Sequence, residues 1–372
     1  MRLRLSQDQE LFVDTTRRFL ADNADIATVR GLIDTVDGFD REWWRRAAEL
    51  GWTTLLAPVD AGGGGVSDDP LADLLEISFQ RGRVVAPGPF TPANVAVAAL
   101  GDGGSNGVLL HAAIEGASIV TLAVDEPRRR WGVTDLATTV RRTGEQVVVD
   151  GAKILVESAG AADALLVLAD AGDGPAIVVV PTDAPGVTIE ARRSPELVRR
   201  FYDVRFEAVS VPAEAVLVLD RAAIERLLDI GVVLQLAETV GALDRVLEFT
   251  IEWAFDRYSF GRSLASYQEL KHRFADMRLW LEASKATVID AAVAVSSGAN
   301  HIELVSSAVS YVNDHGPELV QDCVQMHGGM GVTWEHDIHL YLRRVTVNSL
   351  TYGTVADHRE RLAALIIEGA NA

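Results

Sequence analysis

The spacing of apolar residues changes twice along this chain, and that change limits what it can fold into. From Ser6 to about residue 115 the spacing is helical, as in Leu11, Phe12, Thr15 and Phe19, then Trp43, Trp44, Ala47 and Leu50. Ser6 with Glu10 behind it is a start signal, and Gly51 fits a helix C-cap. From Ser118 to about Val218 the period falls to two. SIVTLAV, QVVVDG, ALLVLA, AIVVVP and VRFEAVSVP are short β-branched runs parted by Gly, Asp and Pro. No helix of normal length lies between them, so the expected sheet is antiparallel rather than a βαβ array. Beyond about Arg221 the helical period returns in three long runs, Ile224–Phe255, Gln268–Ser297 and His301–Met326. The expectation is an α+β chain: an N-terminal all-α domain over 1–115, a middle antiparallel β-barrel-like domain over 116–218, and a C-terminal four-helix bundle over 219–372.

Composition narrows the function. The 372 residues suffice for two or three domains with a sizeable core, and 48% hydrophobic with 23% charged residues is ordinary for a globular protein. A net charge of −19 disfavours nucleic acid, which needs clustered Lys and Arg. Cys323 is the only cysteine, so no intrachain disulfide can form and a reducing compartment fits. The first twenty residues carry charges throughout and lack the apolar core of a signal peptide. No stretch approaches the ~20 apolar residues of a membrane span. These features lead to the expectation of a cytoplasmic protein. Gly62–Gly65 reads as a flexible turn, since no strand–helix unit flanks it. His336 and His339, with Glu335 beside them, read as a solvated helix face rather than a zinc site, so no metal is expected.

Two stretches carry more specific information, RYSFGRSLASYQELKHRFADM from Arg257 and QMHGGMGVTWEHDIHLYLRR from Gln325. Together they resemble the C-terminal domain of the acyl-CoA dehydrogenase family, and AELGWTTLLAPVDAGGGGVS from Ala48 is similar to a turn region of its N-terminal domain. The resemblance spans essentially the whole chain. It implies FAD as cofactor, an acyl-CoA substrate, and a flavin shared across a subunit interface. On that resemblance Arg257 meets the FAD pyrophosphate, for which a guanidinium offers paired donors. Phe260 would pack near the adenine, and Gln268 and Gln325 would bond along the dinucleotide. Gly328 and Gly329 would let the backbone approach phosphate. Thr354, in a retained Gly-Thr, joins this cofactor-binding set, and Asp229 stands where the family contacts substrate.

The chain departs from the family at the chemistry. Dehydrogenation of a thioester needs a carboxylate over the α-carbon. The family's Glu-Gly-Thr is here Tyr352-Gly353-Thr354, and a phenol with a reference pKa near ~10 is a poor base. The alternative position for that Glu is Gly231, followed by Val232 where an arginine is usual. Glu238, two turns or ~10 Å along the same helix face, is a candidate displaced base or a buried structural acid. The flavin-side segments are altered too. Thr-Glu-Pro-Gly-x-Gly-Ser-Asp becomes Asp125-Glu126-Pro127-Arg128-Arg129-Arg130-Trp131, and Trp-Ile-Thr becomes Leu155-Val156-Glu157. Asp125 and Glu157 beside a reduced, anionic ring would repel it by on the order of 4 kcal/mol at ~4 Å. Four readings stay open. One is the base-lacking subunit of an α2β2 enzyme with a homologous dehydrogenase, with steroid or lipid side-chain degradation as the setting. The others are a homo-oligomer using Glu238, a flavin-free binding or scaffold protein, and a family-like flavoenzyme of other chemistry such as an oxidase or monooxygenase.

Overall fold

A computed structural model describes Met1 and residues 5–104, 107–128 and 130–371, without the side chains of 368–371. Arg129 of the altered flavin-side segment lies outside the described residues. The N-terminal part holds α1 (Gln7–Asn23), α2 (Ile26–Gly31), α3 (Arg41–Glu49), α4 (Pro70–Arg83), α5 (Phe90–Asp102) and α6 (Gly107–Ile114). Ser6 starts α1 as a capping box. Its hydroxyl accepts from Gln9 N at 3.2 Å and Gln9 Oε1 accepts from Ser6 N at 3.0 Å. The partner is therefore Gln9 and not Glu10. After α3, Gly51 turns with φ +91°, as a helix-ending glycine does.

One seven-stranded sheet follows: β1 (Val120–Ala123), β2 (Thr139–Thr143), β3 (Gln146–Glu157), β4 (Ala164–Asp170), β5 (Pro175–Pro181), β6 (Val187–Arg192) and β7 (Phe201–Pro212). The order is β1-β4-β2-β3-β7-β6, with β5 also on β4. The pairs β2–β3, β3–β7, β4–β5 and β6–β7 are antiparallel, while β1–β4 and the single β2–β4 contact are parallel. The parallel pairs depart from an all-antiparallel expectation. The β2–β3 excursion lies between β1 and β4 in the chain, and it is long enough to bring β4 back in the same direction without a crossover helix. Two bulges in β3 against β7 curl the sheet.

The last part is helical: α7 (Arg221–Asp256), α8 (Gln268–Ser297), α9 (His301–His327), α10 (Ile338–Asn348) and α11 (Val355–Asn371). A two-residue ribbon, β8 (Tyr258–Ser259) with β9 (Arg262–Ser263), joins α7 to α8. Helices α7, α8, α9 and α11 form the bundle, and α10 packs against α7 and α9. No helix among the described residues is long and apolar enough to cross a membrane.

Helix α7 is the axis of the molecule. Every residue from Leu227 to Leu243 is buried, because α4, α5, α8, α9 and α10 all pack on it. The α4–α7 crossing is close enough to need glycine on both sides. A Cβ on Gly82 would overlap the carbonyl of Glu238, and one on Gly241 would overlap the carbonyl of Phe79. Gly241→Ala should therefore destabilise the fold by about 1–3 kcal/mol through overpacking. Gly31→Ala, with open space around it, should not. Equal melting temperatures for the two variants would contradict this reading of the crossing.

Candidate functional site

The two family-like stretches fold onto one surface. Arg257 caps α7, and Phe260 with Gly261 forms the tip of the β8–β9 ribbon at φ +49° and +80°. Two positive φ values in a two-residue loop are those of a tight hairpin turn. That turn holds Phe260 outward at 98% exposure. Gln268 opens α8, and Gln325, Gly328 and Gly329 end α9; all four are exposed. Trp253 ties the two stretches together. Its indole donates to Met326 O at 3.3 Å, and the Arg257 guanidinium lies 5.9 Å from its ring centroid. Arg257 has no ion-pair partner among the described residues, so its donors are free. An adjoining hollow of about 580 Å³ is lined by Ala254, Phe255, Ser263, Lys271 and Phe274. Exposed donors, free glycine backbone and an apolar hollow suit the diphosphate and adenine of a dinucleotide.

The histidines behind this surface are not a solvated helix face. His327 and His336 rings lie 4.4 Å apart, and His339 stacks on Trp334 at 4.6 Å. Burial, then the neighbouring His336, pushes the His327 ring down to about 4; burial lowers His336 and His339 as well. They pack as neutral rings. No group of three metal-ligating side chains is placed together among the described residues.

The inner cleft, between sheet and bundle, is different. Tyr352 sits at φ +58°, which turns its ring onto α7. There it meets Gly231, where any Cβ would overlap the ring edge. The two positions at which the family places its base are thus filled by each other. Burial raises the Tyr352 phenol further, and Glu157 adds to it, so the phenol stays protonated. Trp131 closes the other side. Its ring stacks 4.9 Å from His358, and Arg361 lies 5.2 Å over it. The space left among Asp125, Trp131, Leu155, Glu157, Phe201 and Tyr352 is about 30 Å³. A water needs about 10–15 Å³ on this measure, so one or two fit and a three-ring flavin does not. Beyond Trp131 lies an open chamber of about 710 Å³, bordered by Val133, Arg221, Leu228, Ile302 and Arg361. Its cations are spent on neighbours: Arg221 pairs with Glu225 at 3.0 Å, and Arg130 pairs with Glu360.

The remaining candidates are committed to structure. Thr354 gives its N–H and hydroxyl to Asp357 at 2.9 and 2.6 Å, starting α11. Asp229 is fully buried and held by His301 at 2.8 Å and Arg361 at 3.0 Å. Glu238 accepts from Arg344 at 2.7 Å, from Arg199 at 3.1 Å and from Asn348 at 3.2 Å. Burial alone would raise its carboxyl, yet Arg344, Arg199 and Arg81 together hold it below the usual range. Glu157 is neutralised by Arg199, at 2.9 Å through Nε, so the repulsion expected of it is compensated within the chain. Glu126 is paired with Lys153 at 2.7 Å. Sequence reasoning missed Arg199, Arg344, Trp131, His358 and Arg361. The signal available was indirect: Glu157 and Glu238 sit in apolar runs, and buried carboxylates require cations.

The chain belongs to the acyl-CoA dehydrogenase family. The models of its N-terminal, middle and C-terminal domains match residues 6–105, 121–209 and 221–367. It is an oxidoreductase-family chain, of the kind acting on CH–CH donors. Among curated relatives it is 27% identical to acyl-CoA dehydrogenase IpdE2 of Mycolicibacterium smegmatis, over 97% of this chain and 99% of that one. It is 28% identical to IpdE2 of Mycobacterium tuberculosis over 91% of each. Among solved structures it superposes on a variant of the Tcur3481–Tcur3483 steroid ACAD with TM-score 0.90, at 27% identity over 98% of this chain and 99% of that one. The ChsE4–ChsE5 complex of Mycobacterium tuberculosis shares the fold with TM-score 0.89, at 23% identity over 99% of each chain.

Asp125 provides a pH test of the closed cleft. Burial pushes its carboxyl up to about 6, Lys153 opposing and Asp357 adding to the rise. A folded pKa above the unfolded one favours folding most at low pH, and that contribution is lost as pH rises through about 6. Asp125→Asn should match the native chain at pH 4 and melt on the order of a few degrees higher at pH 7.5. A melting difference independent of pH would contradict it.

Proposed function

We propose that this chain is the base-lacking subunit of a heteromeric, FAD-dependent acyl-CoA dehydrogenase. Its homologous partner supplies the catalytic carboxylate and the cleft that holds the flavin ring. FAD, where bound, would supply a hydride acceptor for the β-carbon of an acyl-CoA thioester, and the α-proton would need a carboxylate base. In this reading the present chain supplies neither that carboxylate nor the ring's cleft. It supplies the outer strip: Arg257, Phe260, Gln268, Gln325, Gly328 and Gly329 hold the diphosphate and adenine end of the FAD lodged in the partner.

The observation that carries the reading is the mutual filling of the two base positions, Tyr352 on Gly231. Glu238 is no substitute, because two guanidiniums and an amide already occupy both of its oxygens. The likeness to steroid ACAD and IpdE2 chains favours a bulky acyl-CoA of the steroid or lipid side-chain type.

The test is activity. Expressed alone, the chain should show no acyl-CoA turnover; co-expressed with a base-bearing homologue, it should form an active assembly. In that assembly Arg257→Ala should weaken FAD binding by ~10–100-fold, through loss of a charge-assisted contact of about 1.5–3 kcal/mol. Tyr352→Phe should leave the rate within about threefold, because a phenol is not the proton acceptor. Robust turnover by the isolated chain, lost ~100-fold in Glu238→Gln as for a general base, would instead establish the displaced-base enzyme.

A further inference from the structure

The three domains meet at one buried cluster of charge. Arg199, between β6 and β7, lies along Glu157 at the end of β3, with Nε on Oε1 at 2.9 Å and Nη2 on Oε2. Its Nη1 reaches Glu238 of α7 at 3.1 Å and Asn348 of α10 at 2.7 Å. Arg344 of α10 closes the opposite side. It meets Glu238 at 2.7 Å and Glu196 at 3.0 Å, and donates to the carbonyls of Val85 and Ala86 at 3.4 and 3.3 Å. Val85 holds φ +51°, a conformation that disfavours a β-branched residue, and its carbonyl is one of those that Arg344 takes. Glu196 returns to the backbone, accepting from the N–H of Val198 at 2.7 Å and of Arg199. Arg81 of α4, 4.7 Å from the Phe90 ring centroid, is the third cation. Arg81, Arg199 and Arg344 balance Glu157, Glu196 and Glu238, and all six are at least nine-tenths buried.

Burying six charges is expensive, and apolar side chains of equal volume would often stabilise a core at least as well. What such a cluster does provide is direction. The forks of Arg199 and Arg344 find their partners only when the segment after α4, the Glu157 strand and α7 with α10 stand in one relation, while Arg81 adds charge and bonds only to the carbonyls of Pro87 and Gly88. The cluster also forms a wall of the inner cleft, since Glu157 lines the 30 Å³ cavity beneath Tyr352.

We infer that this cluster takes the place of a bound ring as the joint between the three domains. The chain's own cleft is then a closed ionic joint that sets domain geometry with no ligand inside it. The inference rests on the reading that this chain does not house the flavin ring.

The experiment is a double-mutant cycle on the isolated full-length chain, read as melting temperature with and without excess FAD. FAD should leave the native melt unchanged. Arg199→Met should lower it by about 4–6 °C, as for breaking one side of a buried pair. Arg199→Lys should recover part of that loss, since it restores charge without the fork. Glu157→Gln combined with Arg199→Met should cost several degrees less than the sum of the single changes, because no charge is left stranded. If Arg199→Met fails to fold, the same cycle runs through Glu238→Gln and Asn348→Ala. Amide exchange should quicken together in residues 85–88, in α10 and at the start of β7. Additive effects, or an Arg199→Met melt within about 1 °C of native, overturn the joint while leaving the subunit reading in place. An FAD-raised melt that persists in Arg257→Ala, with the coupling intact, overturns the closed cleft and the subunit reading together.

Discussion

Glu238 sits between Arg199 and Arg344, and the rest of the site follows from that clamp. Its helix passes through the centre of the molecule, against α4 on one side and α10 on another. Once both carboxylate oxygens are taken by guanidiniums, the acid cannot accept a substrate proton without breaking the contacts that hold three domains together. A general base needs a free lone pair and a pKa near the working pH. Three of the four acceptor positions of Glu238 are taken, and the guanidiniums drive it away from the second.

Around the clamp the cleft closes in consistent steps. Gly231 leaves room on α7, and Tyr352 takes it. Gly353, at φ +89°, packs against His358 and Trp131, and Trp131 then walls the cavity off from the outer chamber. Together these side chains leave a cavity of about 30 Å³ between sheet and bundle. Arg257, Phe260, Gly328 and Gly329 stay exposed.

Much of the fold was legible in the sequence. The bounds of α8 could be read to the residue, because Gln268 follows a tight turn and Gly298 ends the helix at φ +73°. The strands β1, β4 and β5 announced themselves as apolar runs because the sheet buries most of their residues. Strands β2 and β6 did not. TVRRT and VTIEAR expose most of their side chains and show no apolar run. Pairing direction was also hidden, since β1 and β4 become parallel neighbours only through the long excursion between them.

At the site, the departure from the family pattern was visible as two residues, Tyr352 and Gly231. Their contact was not, because it joins distant parts of the chain. Arg199 was the least legible of all. It lies in an irregular segment beside Arg200, and nothing local marks one as buried over Glu157 and the other as bonded to the carbonyls of Ile33 and Thr35. His336 was misread for the same reason, since its neighbours Phe249 and His327 are rings brought in from α7 and α9, whereas His339 stacks on the nearby Trp334.

In the proposed assembly this chain contributes to a flavin site without housing the ring. The most direct measurement is the flavin content of the assembly purified with its base-bearing partner, taken as bound FAD per pair of unlike chains. The account gives one FAD for each such pair, its ring in the partner's cleft and its diphosphate on Arg257. Two FAD per pair, one for every chain, would contradict it.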